Sequence, residues 1–177
     1  MLVLCSKLVK NDYGKKREHM GNNILKDKFI GGDEARIDES GRFILPVQFK
    51  KILLRYYGNK LYITSADGEK IDIYPMKVWE EVARDIFKLK VFDPDRTNFI
   101  RRMHSYGQLI KLDARGRILL PPALRESAGI KDRVAIISQF TYLEVWDYES
   151  YSKKMATTKI GEEQLRILAD KLTHLGK

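Results

Sequence analysis

The chain has 177 residues, with 33 lysines and arginines against 24 aspartates and glutamates, a formal net charge of +9. A positive surplus of this size favours polyanionic partners such as DNA, RNA or an acidic membrane surface. The chain has one cysteine, Cys5, so it cannot form a disulfide framework, as is typical of a protein from the reducing cytoplasm. Its three histidines are scattered and do not have the spacing of a zinc site. No apolar run approaches the ~20 residues that a membrane helix needs, so no membrane-spanning helix is expected, and a membrane is not among the predicted partners.

The positive charge is concentrated at the two ends of the chain. Residues 1–32 contribute a net +4 and residues 151–177 a net +3, whereas residues 33–150 contribute only +2. A DNA-binding surface in the middle of the chain would therefore have to arise from local clustering of arginine.

Residues 1–28 are predicted to form a flexible N-terminal tail. The stretch from Lys10 to His19 is charged and has no apolar periodicity, as in disordered tails. Because Met20 lies just upstream of the first patterned segment, one hypothesis is that Met20 is the native start.

The strongest feature of the sequence is an internal repeat. The segment at residues 37–46 returns at residues 112–121, with Asp, Gly, Arg, an apolar pair and Pro at matched places. The repeat predicts two copies of one module. The predicted divisions are a first repeat at 29–92, a linker helix at 93–105, a second repeat at 106–155 and a C-terminal amphipathic helix at 156–177.

Each copy is predicted to contain a strand, a tight turn, a second strand, a short helix and a hairpin. In the turn, Gly41 and Gly116 can adopt a positive φ without a Cβ penalty. Asp38 and Asp113 can accept hydrogen bonds from backbone NH groups of the turn. These four residues are therefore predicted to support the two turns.

A proline ends the second strand of each copy. Pro46 and Pro121 lack the NH group that a strand ladder needs, and both are tolerated in the first turn of the helix that follows. The hairpin strands are predicted at 61–64 and 71–74 in the first copy, and at 134–137 and 143–146 in the second.

Each half is predicted to end in a helix. The apolar residues between Pro75 and Phe87 fall on one helical face. That face consists of Val78, Trp79, Val82 and Ile86. Asp147 is the predicted N-cap of the equivalent helix in the second half. Further helices are predicted at 95–103 and 162–175.

The fold class predicted from these elements is α+β. One copy has too few apolar residues to enclose a core alone, whereas two copies can interleave their strands in a small closed β-barrel without exposed edges. The expectation is an internally duplicated, pseudo-twofold β-barrel with flanking helices.

The doubled turn resembles that of the MraZ family, within the AbrB-like swapped-hairpin superfamily. Asp38 with Arg42, and Asp113 with Arg117, match the two Asp-x-x-x-Arg signatures of that family, and each is followed by an apolar strand and a proline. The resemblance covers about residues 29–155. Further matched segments are Pro46–Lys50, Pro121–Arg125 and Leu143–Trp146. The family often has Lys or Gln before the turn glycine, where this chain has Ser40 and Arg115.

The resemblance implies an AbrB-like barrel and a specific function. Members of the family are expected to be sequence-specific DNA-binding transcriptional regulators of the division and cell-wall gene cluster, including their own promoter. The resemblance further implies binding to short direct repeats in double-stranded DNA, a ring-shaped homo-oligomer, and a location in the cytoplasm at the nucleoid.

Arg42 and Arg117 are the main candidates for contact with DNA. An arginine just beyond a tight turn presents a planar donor fork that suits a guanine edge or a phosphate. The alternative is that each arginine pairs with its own aspartate and locks the turn. The two interpretations are compatible if the aspartate orients the arginine that contacts DNA.

Three further basic residues flank the turns and are candidate phosphate contacts: Arg36, Lys111 and Arg115. The alternative for each is a solvated surface charge.

An enzyme is not expected, because the sequence has no evident nucleophile with a base, metal-ligand set or phosphate loop. No cofactor is expected either. The alternative function is an RNA-binding or antitoxin-like protein of the same broad fold. The internal repeat argues against a short single-copy antitoxin.

Overall fold

A computed structural model of the chain describes residues 24–173 as an α+β protein. The strands are β1 (Gly32–Arg36), β2 (Arg42–Ile44), β3 (Lys60–Thr64), β4 (Lys70–Pro75), β5 (Gln108–Lys111), β6 (Arg117–Leu119), β7 (Arg133–Ser138) and β8 (Leu143–Asp147). The helices are α1 (Val47–Ile52), α2 (Met76–Phe87), α3 (Pro94–Ser105), α4 (Pro122–Ser127), α5 (Tyr148–Thr157) and α6 (Glu162–Thr173). A π-helical turn, Leu53–Tyr57, continues α1. Most of the predicted tail and the Met20 hypothesis lie outside the described residues.

The strands form two antiparallel sheets. Six of them lie in the order β1-β7-β8-β4-β3-β5, and β2 pairs separately with β6. Four of the six strand pairs join the chain before α3 to the chain after it: β1 with β7, β2 with β6, β3 with β5, and β4 with β8. The interleaving of strands from the two halves is therefore extensive.

The predicted closed barrel is not confirmed. Within residues 24–173, β1 and β5 are the two edges of the large sheet and are not hydrogen-bonded to each other, so this sheet is open. The reason is that β2 and β6 pair with each other and do not extend the large sheet, apart from an isolated bridge between Ile37 and Phe43.

The main core lies between the two sheets and the short helices. Phe43 of β2 and Ile118 of β6 belong to the same buried cluster as Ile63 of β3, Leu124 of α4 and Ile136 of β7. Pro46 and Pro121 immediately precede α1 and α4, as their missing NH groups predicted. The small sheet thus has one buried face and one face that remains available.

A second buried cluster holds α2 and α3 against the large sheet. The ring of Trp79 stacks on Tyr62 with a centroid distance of 4.0 Å. Val78 and Ile86 are buried and Val82 packs against the same cluster, so the apolar face predicted for α2 is the face that packs. The Thr64 hydroxyl donates to the Met103 carbonyl at 2.6 Å, which fixes the end of α3.

The last two helices differ in their packing. Asp147 caps α5, because its Oδ1 accepts a hydrogen bond from the Ser150 NH at 3.0 Å, as predicted. In α6, the leucines that gave the helical pattern are exposed: Leu165, Leu168 and Leu172. The predicted helix is therefore present, with its apolar side uncovered within this chain.

A charged cluster lies where β4 meets β8. Asp72 stands directly opposite Glu144 and is only 2% exposed. The Nζ of Lys70 lies 2.5 Å from Asp72 Oδ1 and 3.3 Å from Glu144 Oε1, and Asp67 is 3.8 Å away. Burial raises the pKa of Asp72 to about 6, while Lys70 opposes that rise.

Candidate nucleic-acid interface

The first turn joins β1 to β2 and is held by Asp38. Its Oδ1 accepts a hydrogen bond from the Arg42 NH at 2.8 Å. The Gly41 NH donates to the Asp38 carbonyl at 2.8 Å, and Gly41 has a φ of +79°. The positive φ explains the glycine, since a side chain at this position would be strained.

The second turn joins β5 to β6 and has the same backbone geometry. Asp113 Oδ1 accepts hydrogen bonds from the NH groups of Arg115 and Arg117, both at 2.8 Å, and Gly116 has a φ of +79°. The Arg117 Nε also donates to Asp113 Oδ2 at 2.7 Å. These contacts, with the backbone bond from Arg117 first, hold the pKa of the Asp113 carboxyl below its ordinary value.

The two signature arginines differ in their partners. Arg117 pairs with its own aspartate, which is the locking arrangement that the sequence left open. Arg42 makes no ion pair within residues 24–173; only its backbone NH contacts Asp38. The same motif therefore gives one oriented guanidinium and one unpaired guanidinium.

The structure brings Arg42 and Arg117 together on the small sheet. In its register, Arg42 lies opposite Leu119 and Ile44 lies opposite Arg117. Alternate residues of a strand share a face, so these four side chains lie on one side, which we call the ribbon face. Phe43 and Ile118 on the other side are 1% and 0% exposed, so the ribbon face is the one directed to solvent. Diagonal positions such as those of Arg42 and Arg117 are about 7–8 Å apart.

Each turn is covered by a basic residue from the opposite half of the chain. A Cβ atom on Gly41 would lie 2.9 Å from the guanidinium carbon of Arg125 in α4. A Cβ atom on Gly116 would lie 3.0 Å from the Nζ of Lys50 in α1. The Arg125 Nε donates to the Leu120 carbonyl at 3.1 Å, which holds its guanidinium beside the first turn.

Sequence reasoning did not select Lys50 and Arg125 as site residues. Both stand at the same place in the matched helices that follow Pro46 and Pro121, which was the available signal. Their positions over the turns depend on the pairing of β2 with β6, which brings each helix to the opposite turn.

The candidate phosphate contacts are exposed but are not gathered in one place. Arg115 lies in the second turn. Arg36 is the last residue of β1 and Lys111 is the last residue of β5, so they lie on opposite edges of the large sheet. Arg36 lines a groove together with Ile44, which connects this residue to the ribbon face.

Each of these edge residues faces another cation across the sheet. Arg36 is opposite Arg133, and Lys111 is opposite Lys60. Arg133 is compensated, because it lies 3.3 Å from Glu149 and 3.8 Å from the centre of a tyrosine ring. Lys60 is an exposed cation that the sequence analysis did not select. Like charges at facing positions are unfavourable unless an anion is near.

Neither a metal site nor a membrane-spanning helix is found in residues 24–173. No three His, Cys, Asp or Glu side chains within residues 24–173 are arranged to hold a metal ion. In the same range, no helix combines the length and apolar character needed to cross a membrane.

Two arginines, each directly after a tight turn, lie on the solvent-facing side of a two-stranded ribbon. The chain is therefore an α+β protein whose candidate site is an exposed basic surface. Comparison with known proteins identifies the family. A family model described as “MraZ protein, putative antitoxin-like” matches residues 103–166. The chain belongs to the MraZ family, because relatives of that name are more than 30% identical to it over 80% of its length.

Several relatives carry the name “Transcriptional regulator MraZ”. The protein of Acidobacterium capsulatum is 37% identical over 142 residues, which cover 80% of this chain and 97% of the relative. That of Koribacter versatilis is 32% identical, again over 80% of this chain and 97% of the relative. That of Neisseria meningitidis serogroup C is 32% identical over 72% of this chain and 85% of the relative.

Proposed function

We propose that this protein is a sequence-specific transcriptional regulator that binds double-stranded DNA through the ribbon face. The observation that carries the proposal is that Arg42 and Arg117, from opposite halves of the chain, share one solvent-facing side of a two-stranded sheet. The major groove admits a two-stranded β-ribbon, and an arginine fork matches the O6 and N7 acceptors of guanine. Two such forks on one ribbon can read two bases.

The residues around the turns supply the contacts to phosphate. Lys50 and Arg125 lie against the turn glycines, and both are only partly buried. Arg36 and Lys111 precede the two turns and Arg115 lies in the second, so exposed positive charge is found beside both turns, although the middle of the chain is nearly neutral. Phosphate contacts fix the orientation of a protein on DNA, and base contacts specify the sequence.

The two halves act as equivalent modules of an AbrB-like, pseudo-twofold unit. The proposed modules are residues 29–92 and 106–155, joined by the linker at 93–105. The strand order supports this division, because it reads the same from either edge when β5 to β8 are matched with β1 to β4. One subunit would then present both arginines in related orientations.

The proposed targets are short direct repeats in the promoter of the division and cell-wall gene cluster, which includes the protein's own gene. The names of the relatives support a role in transcription. Assembly into a homo-oligomeric ring, in the cytoplasm at the nucleoid, would let several modest contacts act together on repeated sites through effective concentration.

The test is a gel shift with DNA from upstream of the protein's own gene. Wild type is compared with Arg42→Ala and Arg117→Ala, and Arg84→Ala in α2 serves as an exposed control. Loss of one guanine contact should weaken binding by about 1–3 kcal/mol, or roughly 5- to 150-fold. A structured RNA competitor separates DNA binding from the RNA-binding alternative. Unchanged affinity of both folded variants would refute the site.

A further inference from the structure

We propose that Ile44 and Leu119 read thymine methyl groups in the major groove. This inference rests on the DNA-binding function proposed above and extends it to a class of base. Thymine is the target because its C5 methyl is the apolar group that the major groove offers.

The ribbon face alternates charged and apolar side chains. Arg42 and Arg117 occupy one diagonal of the face, and Ile44 and Leu119 occupy the other. Each arginine therefore has an aliphatic neighbour across the ribbon and another two residues along its own strand. A pair of bases read by this arrangement would place a guanine beside a thymine.

The two aliphatic side chains are exposed although core positions lie next to them. Ile44 is 63% exposed and Leu119 is 39% exposed, whereas the intervening Phe43 and Ile118 are almost fully buried. Single exposed apolar residues are common on protein surfaces. Two at related positions on one short ribbon, each beside a signature arginine, form a pattern that a solvated surface does not require.

The two arginines beside Ile44 and Leu119 limit which kind of partner can cover these aliphatic side chains. A protein surface that covered Ile44 and Leu119 would also have to desolvate the adjacent Arg42 and Arg117, which is costly without acidic partners. Duplex DNA meets both needs, because guanine edges and phosphates accept from the arginines while thymine methyls contact the aliphatic groups.

The groove beside β1 extends the apolar contact away from the centre of the ribbon. Ile44 lines this groove with Val47, which is also 63% exposed, and Arg36 lies along it. The carboxylates of Asp33 and Glu34 also line the groove, so the part that suits contact with a base edge is the wall formed by Ile44 and Val47, next to the ribbon.

The test compares thymine with uracil, which differs from it only by lacking the methyl group. Duplexes are first selected from a random-sequence pool with the full-length wild type. The best duplex is then synthesised with thymine or with uracil at every thymine position, and the Kd is measured for both. Each buried methyl should contribute about fourfold in affinity, so the uracil duplex should bind several-fold more weakly.

The variants show whether the ribbon reads the methyls. In Ile44→Ser/Leu119→Ser the ratio of uracil to thymine Kd should fall to about one, and in the milder Ile44→Thr it should fall part of the way. Val91→Ser is the matched control, since Val91 is 65% exposed in the segment between α2 and α3. It should keep the wild-type ratio.

Each other outcome overturns the inference. Equal wild-type affinity for the two duplexes would exclude methyl reading while leaving the proposed function intact. A ratio that persists in the double serine variant would assign the effect to DNA shape or to other residues. A changed oligomeric mass of that variant would assign Ile44 and Leu119 to a subunit contact. If no sequence is enriched from the pool, the proposed function fails as well.

Discussion

Arg125 lies over Gly41, although the two residues come from opposite halves of the chain. A Cβ atom on the glycine would lie 2.9 Å from the guanidinium carbon, and the Arg125 Nε is held by the Leu120 carbonyl at 3.1 Å. Lys50 has the corresponding position over Gly116. Each half of the protein thus supplies a cation to the other half's turn.

The first prediction concerns the turn glycine. Gly41→Ala should lower the free energy of unfolding by about 1–3 kcal/mol, because alanine is strained at a φ of +79°. The flexible guanidinium of Arg125 can move aside, so backbone strain at residue 41, and not a collision with Arg125, should cause most of the destabilisation. Urea unfolding measures the effect. Gly161→Ala is the control, since Gly161 has no positive φ and its Cβ would meet only an ordinary contact. Equal stability of the two variants would contradict the prediction.

The second prediction concerns Lys50 and Arg125. Replacing either with alanine should weaken DNA binding at low salt and make the dependence of log K on log salt shallower by about 0.9, the value for one lost phosphate contact. Lys90→Ala, an exposed change between α2 and α3, should leave the slope unaltered. Titrations at several salt concentrations give the slopes. Variants that retain the wild-type slope would place both cations outside the interface.

The third prediction compares the two turn aspartates. Asp113→Asn should reduce DNA affinity more than Asp38→Asn, because only Asp113 orients its arginine through a side-chain contact, at 2.7 Å. The asparagine oxygen can still accept the backbone bonds in both turns. Binding assays on the two variants test the ranking, and an NMR titration should find the pKa of Asp113 below its ordinary value. A gain in affinity for Asp113→Asn would mean that the ion pair competes with DNA.

The fourth prediction concerns the buried Asp72. Its folded-state pKa is raised to about 6 from an ordinary 3.8, so the folded protein binds an extra proton between these two values. The carboxyl therefore stabilises the fold most at low pH, and this contribution falls as the pH rises through about 6. The groups that face it are Lys70, Glu144 and Asp67.

The measurement is the free energy of unfolding of wild type and Asp72→Asn from pH 4 to pH 7. The stability of the wild type relative to the variant should fall by about 2 kcal/mol across that range. Other carboxylates affect both proteins and cancel in the difference. A difference that stays constant or rises with pH would show that Lys70 keeps Asp72 ionised throughout.

Local signals predicted the local structure well. The apolar face of α2 followed from the spacing of Val78, Trp79 and Ile86, and these residues are buried. The proline stops and the Asp147 cap depend on single residues and their immediate neighbours, so one sequence suffices to find them.

The pairing of strands that are distant in the sequence was harder to predict. Alternating apolar residues identify a strand but do not say which partner it takes, so the split of the strands into two sheets and the open edges of the larger one were not foreseen. The positions of Lys50 and Arg125, each beside the turn of the opposite half, depend on that pairing. The unequal partners of Arg42 and Arg117 depend on side-chain geometry, which two matching motifs cannot distinguish.

The interleaved sheets also constrain how the protein is made. Gly32 of β1 pairs with Ile137 of β7, and β2 pairs with β6, so strands synthesised early lack their neighbours until the later part of the chain has left the ribosome. At about 5–20 residues per second, the nascent N-terminal strands wait for seconds with unpaired edges. Folding of this chain is therefore expected to be largely post-translational, and a chain truncated within α3 would be unable to form either complete sheet.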